Sequence, residues 1–211
     1  MIKTFLVGIF SVLMPINDLK PDIILIAGDL MDNSVRLLNA EHLEDEINRM
    51  QAPLGVYACL GNHDYRSEGG IEDYLDFLKR TKINLLIDNV AYIDNSFWVI
   101  GRNDRTVKSR MSLKNLVAET NKSEPVFLLD HQPYHLEVAE AAGIDFQLSG
   151  HTHNGQLFPG NLIVNKIYEV GHGYKQKGNL HVYVSSGLGI WGPLFRIRTE
   201  SEIAVFDIKF D

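Results

Sequence analysis

The chain has 211 residues, with 20 Lys and Arg against 27 Asp and Glu, a formal net charge of −7, and hydrophobic residues make up 45% of it. That balance is globular; it excludes collagen-like, low-complexity and wholly disordered chains and argues against a general nucleic-acid or membrane-surface binder, which needs a basic face. A phosphorylated substrate stays open because a bound metal reverses the local field, while the single cysteine, Cys59, excludes an internal disulfide or a Cys-based zinc site and fits a reducing compartment.

Residues 5–14 form an apolar stretch after Lys3, broken only by Gly8 and Ser11. It is too short to cross a membrane, for which about 20 apolar residues are needed. Its length and flank fit either a buried strand or helix, or a membrane-associating or processed segment; Pro15 and Pro21 separate it from the next apolar run. Residues 1–20 are therefore set apart as an atypical N-terminal segment, and 21–211 as one domain.

Within that domain, 22–27 (DIILIA) is a continuous apolar run and predicts a buried strand ending at Gly28. A helix is expected over 41–50, with His42 at its surface, and a second buried strand over 54–60, stopped by Gly61. Ile71, Tyr74, Leu75 and Leu78 share one face of a helix over 71–79. Residues 84–93 and 97–100 read as a strand pair turned at Asp94-Asn95. A short helix comes next at 112–119, then a strand at 125–129, and a helix at 134–142 ended by Gly143. Later strands fall at 144–148, 181–185 and 203–209. The alternation suggests helices layered on sheets.

Four of these strands end in potential metal ligands: Gly28-Asp29-Leu30-Met31-Asp32, Gly61-Asn62-His63-Asp64, Asp130-His131-Gln132 and Gly150-His151-Thr152-His153-Asn154-Gly155. In layered α/β folds, ligands bind beyond the carboxyl ends of the strands, so clusters far apart in sequence can meet. Carboxylate, amide oxygen and imidazole without thiolate favour Mn, Fe, Zn, Ni or Co over Mg or Ca. Each cluster alone has a bland reading, a turn or a helix cap. Their conjunction in one chain does not.

The ordered motifs resemble those of the calcineurin-like metallophosphoesterases, from about Pro21 to the end of the chain. The Asn-Gly-Gln after His153 and the segment Ser185-Ser186-Gly187-Leu188-Gly189 are similar to the bacterial phosphodiesterase branch. The resemblance implies a four-layer α/β/β/α sandwich of two mixed sheets. It implies two divalent ions and hydrolysis of a phosphoester, more specifically a diester, by metal-activated water. Asp29 would bridge the ions; Asn62, His131 and His151 would complete one shell, and His153 would serve the other. His63 would hydrogen-bond or protonate the leaving oxygen, with Asp64 orienting it. The implied substrate is a phosphorylated small molecule or a lipid-linked one; nucleic acid is not expected, on the net charge. The implied location is cytoplasmic, with peripheral membrane contact open.

One motif is missing. The family opens with Asp-x-His at the end of its first strand, and this chain has no Asp-x-His. The N-terminal strand–helix unit is expected to be missing or altered, leaving one ion with only Asp29 and His153. Two readings arise: a shortened chain, or a divergent member that holds one ion and is a weak enzyme or a binder without turnover. Two residues outside the motifs are further candidates for substrate contact. His172 lies in the glycine-rich Gly171-His172-Gly173 loop, and Arg196 carries a guanidinium able to grip a phosphate bidentately. Trp191, Leu194 and Phe195 read either as an apolar lip or as core, and Cys59 as an inert core thiol.

Overall fold

A computed structural model describes residues 2–6, 13–30, 43–193 and 195–210, with side chains from Ile16 onward. Asp32, His42 and Leu194 lie outside the described residues. Eleven strands form two mixed sheets among the described residues. The first has the order β11-β1-β2-β3-β4, from β1 (Ile2–Leu6), β2 (Ile23–Ala27), β3 (Val56–Cys59), β4 (Ile83–Leu85) and β11 (Val205–Ile208). Only β11 runs antiparallel, against β1. The second has the order β5-β6-β7-β8-β10-β9. It is built from β5 (Asn89–Ile93), β6 (Phe97–Gly101), β7 (Val126–Leu129), β8 (Phe146–Ser149), β9 (Gly173–Lys177) and β10 (Leu180–Val184). Its edge strands β5 and β9 are antiparallel to their neighbours; β6, β7, β8 and β10 are parallel.

The period-2 alternation of each strand sorts its residues into layers. Ile23, Leu25 and Ala27 of β2 face Phe127, Leu129, Phe146 and Leu148 in a core between the sheets. Ile24 and Ile26 turn the other way, onto α2 (Leu43–Asn48) and α3 (Gly70–Leu78), through Ile47, Tyr74 and Phe77. Val126, Leu128 and Val182 do the same for α4 (Leu113–Val117) and α5 (Leu136–Ala142), through Leu116, Leu136 and Ala139. Two sheets between two helical layers is the expected four-layer sandwich.

The N-terminal unit is altered rather than missing. Residues 2–6 form β1, parallel to β2 with Phe5 opposite Ile24, and α1 (Leu13–Asp18) comes after it. β2 is therefore flanked on both sides: an apolar segment completes the sheet whatever ligands come after it. The expected strand over 84–93 divides between the sheets. Residues 83–85 close the first sheet, and 89–93 open the second, pairing with β6 around the Asp94-Asn95 turn, whose two residues have φ of 49° and 51°. One further helix, α6 (Gly160–Ile167), and strand β9 carry no clear sequence signal. No described helix is long and apolar enough to cross a membrane.

Candidate metal centre

The parallel strands β2 and β3 of one sheet and β7 and β8 of the other all deliver their carboxyl ends to one edge of the sandwich. Hydrogen bonds past the strand ends then fix the loops. The Gly150 amide donates to the His131 carbonyl at 2.9 Å, zipping the β7 and β8 tips together. Across the other sheet, Asp64 Oδ2 accepts from the amides of Gly61 (2.7 Å) and Asp29 (3.0 Å), and Asp29 Oδ1 accepts from the His63 amide (2.8 Å). His131 joins the two sheets. Its Nδ1 donates to the Ala27 carbonyl at 2.6 Å, which leaves Nε2 facing Asp29 Oδ2 at 2.8 Å. The His131 and His151 rings stand nearly perpendicular, with centroids 5.1 Å apart.

The result is a triad. One ligand atom from each of Asp29, His131 and His151 lies within 4.8 Å of the other two. Asn62 is buried beside them, and its Oδ1 has no hydrogen-bond partner among the described residues. An orphaned buried acceptor costs about 1–3 kcal/mol, and a cation repays it. His153 Nδ1 is likewise buried without a partner among them. Backbone conformation also departs from the ordinary here. Asp29, His151 and His153 all have positive φ, 49°, 68° and 49°. Each costs roughly 1–2 kcal/mol for a residue with a Cβ, and such strain clusters at functional sites. Gly28 must be glycine. A Cβ there would sit 2.6 Å from the Gly61 amide nitrogen and 2.8 Å from His131 Nδ1, at φ of 77°.

The electrostatics suit a cation. Burial would raise the Asp29 pKa, but the charge and hydrogen bond of His131, with help from His63, bring it down to about 2. Burial would lower that of His131, and Asp29 and the Ala27 carbonyl carry it up to about 9. In the metal-free protein an imidazolium thus sits against the Asp29 carboxylate. Burial, with the His131 charge next, lowers His151 to about 4; burial and Arg196 lower His153 to about 4. Both are neutral and able to ligate at neutral pH.

The family model for calcineurin-like phosphoesterases matches residues 6–155. The chain belongs to that family. An uncharacterized metallophosphoesterase of Helicobacter pylori is 33% identical over 195 residues, covering 90% of this chain and 51% of its own length. One from Aquifex aeolicus is 30% identical over 90% of this chain and 74% of itself. A Danio rerio transmembrane protein with metallophosphoesterase domain is 29% identical over 92% of this chain and 47% of itself. The chain spans about half the length of the Helicobacter relatives. Among solved structures, Haemophilus influenzae NAD nucleotidase superposes with a TM-score of 0.60 at 16% identity, over 88% of this chain and 45% of that one. That likeness shows the fold. The calcineurin-like phosphoesterases are metal-dependent, and Asp29, His131 and His151 form a group that can hold an ion.

Three candidate residues, Asp64 from the family resemblance and Arg196 and His172 from outside its motifs, sit differently from what the sequence suggests. Asp64 is 1% exposed and its carboxylate binds the amides of Gly61 and Asp29, so it fastens the two ligand loops together instead of reaching out to orient the His63 ring. Burial and the Asp29 charge push it up to about 7. Arg196 offers no open fork to a phosphate. Its Nη atoms donate to the carbonyls of His153 (3.2 Å), Ser186 (2.8 Å), Gly187 (3.2 Å) and Gly189 (2.6 Å), clamping the 186–189 loop onto the His153 turn. His172 lies apart from the triad, its Nε2 3.2 Å from Glu202 in a separate cleft beside Asn154 and Ser186. Of the remaining histidines, His135 is exposed next to Glu137 and His181 meets the Tyr174 hydroxyl at 2.7 Å.

Sequence reasoning missed a second ring of residues. Asp130 is clasped by Arg102 at 3.1 Å and by Arg110, and the Gln132 amide donates to both oxygens of Asp104 (3.1 and 2.9 Å). Tyr65 reaches Asn103 from the β3 loop. These bonds hold the 102–111 loop behind His131 and place the Arg105 guanidinium 4.0 Å over the Tyr134 ring, which packs on Tyr168 beside His151. Only the Asp130-His131-Gln132 string hinted at them. A cavity of about 420 Å³ opens next to the triad, with His63, His151 and His153 on one wall and Ile163, Val164 and Trp191 on another.

Proposed function

We propose that the chain is a phosphodiesterase that holds one divalent ion firmly, Mn, Fe, Zn or Ni, through Asp29, Asn62, His131 and His151. The observation that carries this reading is the triad within 4.8 Å, with the buried, unsatisfied Asn62 Oδ1 beside it. Oxygen and nitrogen donors in that number fit a borderline transition-metal ion. Such an ion, when bound, supplies Lewis-acid polarisation of a phosphoryl oxygen and a lowered pKa for coordinated water. The protein's own groups do the rest. His131 Nδ1, fixed to the Ala27 carbonyl, keeps its Nε2 pointed at the ion site. Asp64 sets the spacing between the loops that carry Asp29 and Asn62. His63 lines the cavity and donates a hydrogen bond or a proton to the leaving oxygen. His153, neutral and with a buried Nδ1 that has no partner among the described residues, would be the protein's further ligand should a second ion bind.

That second position is poor in ligands. β1 is in place, but no Asp or His occurs anywhere before Asp18. This favours impaired catalysis, and a second reading in which the chain binds an ion without turnover. Hydrolysis of bis(p-nitrophenyl) phosphate with added Mn²⁺, alongside metal analysis, separates them. The hydrolase reading expects turnover that Asp29→Ala and His63→Ala each abolish. One bound ion with no turnover in the unsubstituted protein establishes the binder and refutes the hydrolase.

A further inference from the structure

α6 rests on the His153–Gly155 turn but buries little: none of its residues is fully buried, although four of its eight are Leu, Ile or Val. Leu162, Ile163 and Ile167 are each more than half exposed. Beside it, the 190–198 loop exposes Trp191, Phe195 and Ile197 at 48%, 56% and 45%. The two segments are one surface. The Phe158 amide donates to the Ile197 carbonyl at 3.1 Å, the Gln156 side chain donates to the Trp191 carbonyl at 2.7 Å and accepts from its amide at 2.9 Å, and the Arg198 guanidinium lies 4.6 Å over the Phe158 ring. Water-exposed monomer surfaces do not normally gather so many large apolar groups.

Charge tells what covers them. The chain carries 27 acids, yet residues 150–168 and 184–199 contain none. The full charges in those stretches are Lys166, Arg196 and Arg198, with Arg196 committed to carbonyls; Arg66 lines the same cavity as Ile163 and Trp191. These two stretches are thus free of acids, with Glu169 and Glu200 just beyond their ends and Glu200 and Glu202 in the cleft that Arg198 also lines. Apolar side chains with Trp among them, a short helix carrying a Lys, and cations at the rim make up the composition of a segment that seats in the interface of an anionic bilayer.

We infer that α6 and the 190–198 loop form a docking surface for an anionic lipid bilayer. Ile163 and Trp191 belong both to this surface and to the wall of the cavity beside the triad, so docking would set the metal centre against phosphoester headgroups. That functional meaning rests on the hydrolase reading; the docking itself does not.

The test is co-sedimentation of the full chain with vesicles of phosphatidylcholine containing about one third phosphatidylglycerol. The chain is expected to partition onto them, and less onto pure phosphatidylcholine. Leu162→Ser, Ile167→Ser and Phe195→Ser combined should lower the partition at least roughly tenfold. These side chains are solvent-exposed, and circular dichroism checks that the variant folds. If it does not, Lys166→Gln with Arg198→Gln is the second variant, expected to lose the preference for anionic vesicles. Failure of the chain to bind anionic vesicles, or equal binding by either folded variant, overturns the inference. So does a dimer in vesicle-free buffer that the apolar variant dissociates, because a second copy would then be the occupant. Turnover of a soluble diester is read in parallel and should be the same in the unsubstituted chain and the apolar variant. Vesicle binding without turnover sinks the hydrolase reading alone, and turnover without vesicle binding sinks the docking alone.

Discussion

Gly61→Ala tests the metal centre with a single methyl group. A Cβ at Gly61 would stand 2.7 Å from Asp29 Cγ and 2.7 Å from the Asp29 amide nitrogen, and closer still to Oδ1. Ordinary contact begins at 3.4 Å, so the carboxylate and its backbone must retreat by about 0.7 Å. Gly61 has no positive φ, so the perturbation is purely steric. The retreat breaks the His63 amide to Asp29 Oδ1 bond and the Asp29 amide to Asp64 bond. Each is worth about 1 kcal/mol, and overpacking costs about 1–3 kcal/mol. Together these give a loss of roughly 3–5 kcal/mol in stability. A ligand misplaced on that scale lowers turnover by about a hundredfold. Urea unfolding of the chelated protein, Mn²⁺ titration calorimetry and diester hydrolysis measure the three effects. Gly150→Ala is the control. Its Cβ would meet nothing nearer than the Ala27 carbonyl at 3.6 Å, and it should behave as the parent. Parental Mn²⁺ affinity and stability in Gly61→Ala, or equal damage from Gly150→Ala, would refute the argument.

Four further outcomes are expected. Because Asp29 holds His131 protonated up to about pH 9, the ion must displace that proton; Mn²⁺ affinity should rise about tenfold per pH unit from near pH 7 toward 9, and a flat profile would sink this. The same pair stabilises the metal-free fold: the His131 part is complete below its unfolded value near 6.5 and lost as pH rises through about 9, while the Asp29 part, complete above 3.8, is lost as pH falls through about 2. With chelator present the melting temperature should therefore drop between about pH 6.5 and 9. Arg196→Ala should cost about 2–4 kcal/mol in urea unfolding, and Arg196→Lys should recover only part, since an ammonium cannot span four carbonyls. Asp64→Asn, which keeps an acceptor for the Gly61 and Asp29 amides, should cost less than about 1 kcal/mol against roughly 2–4 for Asp64→Ala; equal losses would show that charge, not acceptance, is what Asp64 supplies.

The buried strands and the chemistry at their ends are legible in the amino-acid string alone. DIILIA and VFLL are continuous apolar runs because β2 and β7 are covered on both faces, and that pattern is local and readable. The oxygen and nitrogen donors after those runs, and the lack of Asp-x-His, are equally plain. Which donors share an ion is a matter of three-dimensional packing. Asp29 belongs to one sheet and His131 and His151 to the other, and only the stacking of sheet on sheet through Ile23, Leu25, Phe127 and Leu129 brings their tips together. Packing also makes residues 2–6 finish a sheet, because strand pairing depends on partners and not on the segment's own spelling. For polar side chains the sequence carries identity without partners: Arg196 and Asp64 have the charges of a phosphate grip and a catalytic relay, but carbonyls and amides from distant segments claim them first. Burial of α6 is likewise non-local. Its apolar residues carry no clear sequence signal, and only the fold shows that they stay largely exposed.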